Sequence, residues 1–487
     1  MLHQNFSKKL NIRFETLGCR LNQIESESAA RSFLEAGFKV IIQPMQAKNI
    51  PDDETVLCVV NTCAVTQKAE QKDRRIIRLL LEKCPNAAVI VTGCYAQLSP
   101  EDIKKIDKRI AVLKGQLKSR LADVPSILKK ELENKKFAPE KFADLLNNGL
   151  FSSEAEKAGT SENAFRLATD SFLAHSRSSI KIQDGCNCEC SYCTIHIARG
   201  HSVSLDAEEV VRRVQKLESA GQAEVVITAV NIAQYKGKYK NEYIKFSRLL
   251  KLCLENTEKI CFRISSLYPE SVDPEFCAVA ENPRVRPYFH ISVQSGSDKI
   301  LKLMKRTYTA ENVLNACNML KNAKSNPFLS CDIITGFPGE TDEDFEETMA
   351  LCRKCGFAWV HVFPFSPRPG TVAAEMKPKI PQSTSGKRAA VLSSWAKNSK
   401  IKYIESFRDK TVSAVLETIK KPFVFANGEG REIFHAVTEN FLHCELSAPT
   451  GKIKIQPGSA IKVKILGPVG IGERKTVEID SLADFLD

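Results

Sequence analysis

Lys181-Ile182-Gln183-Asp184-Gly185-Cys186-Asn187-Cys188-Glu189-Cys190-Ser191-Tyr192-Cys193 is the stretch whose reading decides the fold, because a strand-like segment, 179–183, runs into a loop crowded with thiols. Cys186, Cys190 and Cys193 are spaced C-x3-C-x2-C. A cubane iron-sulfur cluster normally takes four cysteine thiolates, so three closely spaced ones leave one iron open to an outside ligand, which implies chemistry rather than electron storage. The alternative is a structural zinc, for which His196 is the nearest fourth ligand, or unligated thiols. Structural zinc usually draws on paired C-x2-C units.

The spacing resembles the signature of radical S-adenosylmethionine (SAM) enzymes. That resemblance implies a 4Fe-4S cluster on Cys186, Cys190 and Cys193, with the methionine amine and carboxylate of SAM on the open iron. An electron from the cluster then releases a 5'-deoxyadenosyl radical. Cys188 is left as a spare, non-ligating thiol.

Toward the C-terminus, strand and helix character alternates: helix 206–219, strand 224–229, helix 243–256, strands 261–265 and 289–294, helix 310–323, strand 329–335, helix 342–355 and strand 358–364. Such repetition predicts a full or partial (β/α) barrel, whose reactive groups gather at the carboxyl ends of the strands. The words Val230-Asn231, Arg263-Ile264-Ser265-Ser266, His290 to Ser297 and Asp332 to Thr341 resemble the SAM-pocket strands of the same enzymes. On that resemblance Tyr192, Asn231, Arg263, Ser265, Gln294 and Asp332 are expected to bind SAM. Taken alone, Ser295-Gly296-Ser297 and Gly336-Phe337-Pro338-Gly339 are plain turns. Cys352 and Cys355 form an isolated C-x2-C, expected to be incidental thiols.

Toward the N-terminus, 12–17 alternates like a strand and Leu21 to Leu34 like a helix, 56–60 and 88–92 are apolar strands, and a charged helix between those two runs to about Glu82. Strands alternating with helices predict a parallel sheet whose following loops open at one edge. Cys19, Cys63 and Cys94, each just past a strand, are therefore expected to converge, as a second cluster site or as ordinary buried thiols. Their flanks, Thr16-Leu17-Gly18-Cys19-Arg20-Leu21-Asn22-Gln23, Asn61-Thr62-Cys63-Ala64-Val65-Thr66 and Thr92-Gly93-Cys94, resemble the cluster-binding motifs of methylthiotransferases, which implies a second 4Fe-4S cluster. Ile195-His196-Ile197, Ala229 and His201-Ser202-Val203 depart from that family, which has Ile-Pro-Tyr, Gly and a Ser-Arg pair there.

From Leu117 to about Arg177 the pattern weakens, and 117–171 is expected to be a solvated insertion without chemistry. After a linker and helix, 378–402, short strands at 411–419, 433–437, 441–446, 452–455 and 460–465 predict a small β-barrel of OB-like type. Period-two alternation turns Lys452, Lys454, Lys462 and Lys464 outward, a face able to follow phosphates or simply a charged, solvated edge. His435 to Phe441 resembles the RNA-binding TRAM domain, and Met304 to Thr309 and His361 to Thr371 are also family words. The second resembles the MtaB-like branch acting on threonylcarbamoyl-adenosine in tRNA, with Arg368 placed for a phosphate or carboxylate or for a structural salt bridge.

The expected fold class is α/β: an N-terminal parallel α/β domain at 10–116, the insertion at 117–171, a radical SAM partial barrel at 172–402, a TRAM barrel at 403–470 and a tail at 471–487. A chain of 487 residues carrying 70 basic against 58 acidic side chains favours a polyanionic partner. Seventeen dispersed cysteines suggest a reducing compartment. Without a signal-like apolar core at Met1 to Phe6, or a run of about 18 apolar residues, a cytoplasmic protein with no membrane partner is expected.

The resemblance implies methylthiolation of C2 of adenosine 37 in tRNA, on the threonylcarbamoyl-modified base, with an electron donor such as flavodoxin or ferredoxin and a separate sulfur donor. Sister readings are the isopentenyl-modified base or a ribosomal-protein aspartate. The non-enzymatic one is an RNA-binding protein using iron-sulfur clusters as redox sensors.

Overall fold

The computed structural model describes residues 10–133, 137–152, 164–167, 177–419, 423–424, 430–449, 455–469 and 479–486. Two compact units emerge: 1–174 with 183–189 and 193–203, and 175–182 with 190–192 and 204–487.

In the first unit, β1 (Asn11–Thr16), β2 (Lys39–Ile41), β3 (Thr55–Thr62), β4 (Ala88–Gly93) and β5 (Ile110–Val112) form a wholly parallel sheet in the order 2-1-3-4-5. Both faces of the sheet are buried, which is why β3 and β4 are near-continuous apolar runs. The period of two divides them: Leu57, Val59 and Ile90 enter one core, while Cys58, Val60, Val89 and Val91 enter the other. Helix Arg20–Glu35 packs Ala29, Ala30 and Phe33 into the first core, and helix Gln67–Lys83 packs Ile76, Ile77 and Leu80 into the second.

The segment expected to be a solvated insertion is instead part of this unit as far as Phe151, and Leu167 is buried in the same core. A 3-10 helix, Gly115–Asp123, and helices Val124–Glu133 and Pro139–Asn148 bury Leu117, Leu121, Val124, Leu128, Phe142 and Leu146 in the first core. The steps of four, three and four residues from Leu117 to Leu128 are a helical stripe, masked in the sequence by the intervening Lys118, Arg120 and Asp123.

In the second unit, which shares Gln183, Asp184 and Val203 of its first two strands with the other, β6 (Ser178–Asp184), β7 (Val203–Ser204), β8 (Glu224–Ala229), a hairpin of β9 (Gly237–Tyr239) and β10 (Glu242–Ile244), and β11 (Cys261–Ile264) precede β12 (Tyr288–Gln294), β13 (Phe328–Thr335) and β14 (Trp359–Pro364). Sheets β11-β8-β6-β7 and β12-β13-β14 are joined by a parallel bridge between Leu267 and Ile291, making a partial barrel. Helices Ala310–Ala323 and Asp342–Cys355 start on capping boxes at Thr309 and Thr341. The hairpin takes the front of the predicted 243–256 helix, which starts at Phe246 because Lys240 and Asn241 turn the chain at positive φ.

β15 (Thr411–Ile419), β16 (Phe423–Val424), β17 (Gly430–Thr438), β18 (His443–Pro449), β19 (Ala460–Pro468) and β20 (Ser481–Leu486) follow helix Gln382–Glu405. The order β15-β19-β20-β18-β17, with β15 also paired to β17, closes a five-stranded barrel around Leu416, Phe434, Leu446, Val463 and Ile465. The expected tail thus supplies a barrel strand. Its pattern hid this, since Ala483 points inward while Leu482 is exposed. Lys452 and Lys454 lie outside the described residues.

Candidate active site

The order of the first sheet reverses between β1 and β3, and open α/β sheets bind ligands at the carboxyl edge of such a switch point. Cys19 and Cys63 follow these two strands, and Cys94 follows the next one along. Each loop is stapled to its neighbour. Asn22 Nδ2 donates to the carbonyls of Leu17 and Thr62, both at 2.9 Å, holding the Cys19 turn against the Cys63 turn. Thr62 Oγ1 donates to the Thr92 carbonyl and accepts from the Ala96 N–H, so β3 also holds the start of the Cys94 helix. Gly18, at φ +94°, sits so close that a Cβ there would lie 2.8 Å from Cys63 Sγ.

Cys63 and Cys94 are buried and Cys19 is exposed. Burial pushes the Cys63 thiol up to about 12, and the charges of Cys94 and Cys19 add to the rise. Burial also raises Cys94, against the pull of Arg199 and Lys118. The Asn22 and Thr62 hydrogen bonds hold the three cysteine-bearing loops to one another. Buried thiols such as Cys63 and Cys94 suit a metal group, whose positive charge expels thiol protons on binding. No group of three or more His, Cys, Asp or Glu among the described residues is arranged around a single-ion position. A cluster, by contrast, spreads its thiolates over different irons.

Sequence reasoning missed the charged floor of this site. Lys118 Nζ meets Glu25 at 2.5 Å and Asn22 Oδ1 at 3.2 Å. Arg199 donates to Glu25 at 3.2 Å, Asp184 at 2.9 Å and Asn22 Oδ1 at 2.9 Å. Lys118 and Arg199 are at most 8% exposed in their side chains, and each is matched by a carboxylate, as buried charges must be. The words Arg20-Leu21-Asn22 and Ala198-Arg199-Gly200 carried the only signal of it.

The cysteine loop is set by backbone geometry. Gly185 lies at φ +71°, and a Cβ there would sit 2.0 Å from the His201 carbonyl oxygen, so no other residue fits. Cys186 N–H donates to the Gly200 carbonyl, while the Cys188 and Ile195 N–H groups donate to Cys186 and Cys193 Sγ, both at 3.4 Å. In the second unit Arg306 donates to Cys190 Sγ at 3.2 Å and stacks on Tyr268 and Tyr308, 4.6 and 4.8 Å from the ring centres. Hydrogen bonds to the sulfurs are among the levers that set the potential of an iron-sulfur cluster.

Of the residues expected at SAM, Asn231, Ser265 and Gln294 stand at the carboxyl ends of β8, β11 and β12. Asn231 accepts from the Ala233 N–H at 3.1 Å, Ser265 accepts from the Ala229 N–H at 3.4 Å, and Gln294 takes φ +72°. Asp332 meets His290 Nε2 at 3.0 Å; burial raises its carboxyl, but the His290 contact prevails and leaves it below the ordinary range. Tyr192 stands edge-on to Phe337.

Arg263 is elsewhere. Its guanidinium grips Glu224 twice, at 2.7 and 3.0 Å, and donates to the carbonyls of Thr438 and Glu439. Glu224 is the first residue of β8, so Arg263 serves the amino end of the strands, opposite the edge where cofactors bind. Lys462 is exposed on β19, and Lys464 is ion-paired with Asp409 at 2.9 Å. Arg368 is buried.

Residues 180–352 match the Radical SAM superfamily, and residues 11–115 match a family described as Uncharacterized protein family UPF0004. The chain is 39% identical to threonylcarbamoyladenosine tRNA methylthiotransferase MtaB of Treponema pallidum over 93% of this chain and 98% of that one. It is 35% identical to the protein of the same name from Thermotoga maritima, over 80% of this chain and 83% of that one. A tRNA-2-methylthio-N(6)-dimethylallyladenosine synthase of Anaplasma phagocytophilum is 28% identical over 90% of this chain and 92% of its own. With thiols spaced for a radical SAM cluster and full-length likeness to such relatives, the chain is an enzyme and belongs to the radical SAM tRNA methylthiotransferase family.

Proposed function

We propose that this enzyme methylthiolates C2 of N6-threonylcarbamoyladenosine at position 37 of tRNA. The gathering of Cys19, Cys63 and Cys94 at three strand ends, in a chain that also carries the C-x3-C-x2-C loop, supports the reading. The names of the 39% and 35% identical relatives favour the threonylcarbamoyl base.

Cys186, Cys190 and Cys193 would hold one 4Fe-4S cluster and Cys19, Cys63 and Cys94 a second. When bound, the clusters and SAM supply the radical and sulfur chemistry that an unactivated aromatic C–H demands and that side-chain acids and bases cannot provide. The chain's own part is positional. Asn22 and Thr62 hold the three strand-end loops together, and Lys118 and Arg199 hold buried positive charge beside Cys94. Arg306 hydrogen-bonds Cys190, and Tyr192, Asn231, Ser265, Gln294 and Asp332 line the cofactor. Lys462 and Lys464, with Lys452 and Lys454, follow the RNA backbone. The base leaves its stack to reach the reacting groups.

A flavodoxin- or ferredoxin-like electron donor and a sulfur donor complete the system, in the cytoplasm. No helix among the described residues is long and apolar enough to cross a membrane. Reconstituted enzyme given SAM, dithionite and tRNA bearing either modified base should add a methylthio mass to the threonylcarbamoyl form. Addition to the isopentenyl form alone would overturn the substrate, and no 5'-deoxyadenosine from SAM would overturn the reaction.

A further inference from the structure

We infer that helix Gln67–Lys83 is a second phosphate-binding surface, on which the sugar-phosphate backbone of the tRNA docks beside the Cys63 and Cys94 loops. The inference rests on the proposed tRNA substrate and adds the place where this unit grips it.

Lys68, Lys72, Arg75 and Arg78 are exposed and have no ion-pair partner among the described residues. At about 100° per residue they fall within an arc of about 120°, and from Lys68 to Arg78 they run about 15 Å along the axis. Like charges three and four apart repel and weaken a helix, so the stripe is a standing cost unless an anion neutralises it. Glu82 on the same side is ion-paired with Lys83, Asp73 is fully buried and Glu70 lies on the opposite side.

The helix is also fixed at the site end. Thr66 caps it through the Ala69 N–H at 3.1 Å, and Arg74 donates to Tyr95 Oη at 3.0 Å, one residue beyond Cys94. Gln71, Arg74, Arg75, Arg78, Leu79 and Glu82 line a shallow concavity on this face. A row of four cations about 15 Å long, beside a concavity whose one apolar lining residue is Leu79 and which holds no aromatic side chain, suits a phosphate chain. A protein partner of comparable strength would need buried aromatic or aliphatic anchors, and lysine is depleted at such centres.

The test uses full-length, iron-reconstituted enzyme and a fluorescent tRNA anticodon stem-loop at several salt concentrations. Lys68→Gln, Lys72→Gln, Arg75→Gln and Arg78→Gln combined should raise Kd at least tenfold. The slope of log K against log salt should flatten by about 0.7–0.9 for each phosphate that the variant no longer neutralises. Iron content and 5'-deoxyadenosine release should stay as in the parent, and the circular-dichroism melt of the RNA-free variant should be equal or slightly higher, since the repulsion along the helix is relieved. Unchanged Kd and slope would overturn the inference, as would a variant that binds RNA normally but is no longer reduced by flavodoxin, since the stripe would then serve an acidic protein. A parent enzyme that binds no tRNA would sink the proposed function along with it.

Discussion

The two sets of three cysteines reach similar ends by opposite routes. Cys186, Cys190 and Cys193 lie within eight consecutive residues, and their arrangement needs little beyond a loop, one glycine that tolerates φ +71° and a few N–H groups aimed at sulfur. Cys19, Cys63 and Cys94 are drawn from three separate strand ends. Their grouping depends on strand order 2-1-3-4-5, on Asn22 and Thr62 as staples, and on a buried floor of Lys118, Glu25 and Arg199. A local set survives most damage to the distant fold. A set assembled by topology inherits every weakness of the sheet that assembles it.

The sharpest break is cysteine removal. Two cubanes require about eight irons per reconstituted chain, and Cys63→Ala and Cys190→Ala should each lower this by about four. Only Cys190→Ala should abolish 5'-deoxyadenosine release; if Cys63→Ala also abolishes it, the two sets are not independent.

Next in size is a control inside the second unit, at the amino end of β8. Glu224 is fully buried among Arg263, Arg286 and Arg177, and these charges outweigh burial to hold its carboxyl at about 2. A folded value below the unfolded 4.5 means its stabilisation is complete above about pH 4.5 and is lost as the pH falls toward 2. Glu224→Gln should cost about 3–5 kcal/mol at neutral pH, because two arginines are left buried without their partner. Urea melts from pH 3 to 7 should show the deficit shrinking in acid, with iron content unchanged wherever the variant is folded.

Asn22→Ala should cost about 1–3 kcal/mol by stranding buried polar groups that Asn22 now satisfies. It should lower the iron held by the strand-end set while 5'-deoxyadenosine release continues, and equal loss from both sets would refute the contrast. Smallest is Asp409→Ala, which releases Lys464 from an exposed ion pair and should leave the melt nearly unchanged. Tighter tRNA binding at low salt would support an RNA-facing role for β19.

The elements legible in the sequence are those whose local signals agree. Helices Ala310–Ala323 and Asp342–Cys355 and strands Glu224–Ala229 and Thr411–Ile419 begin and end where periodicity and capping place them. What escaped is non-local. The stripe from Leu117 to Leu128 becomes intelligible only against β3 and β4, and β20 only when β19 and β18 flank it. Arg263 follows the same rule. Its strand-end word suggested a cofactor contact, yet a fully buried carboxylate at the start of β8 captures its guanidinium.

By itself the sequence determined the C-x3-C-x2-C spacing of the cysteine loop and the alternation of strands and helices, because spacing within a few residues and period-two or helical patterns are properties of the chain alone. Tertiary structure decided which buried charges surround those thiols, that Leu117 to Phe151 belongs to the first core, and that Ser481–Leu486 closes the barrel. The physical reason is that a buried charge or an edge strand takes its role from partners many residues away, and only folding brings those partners within reach.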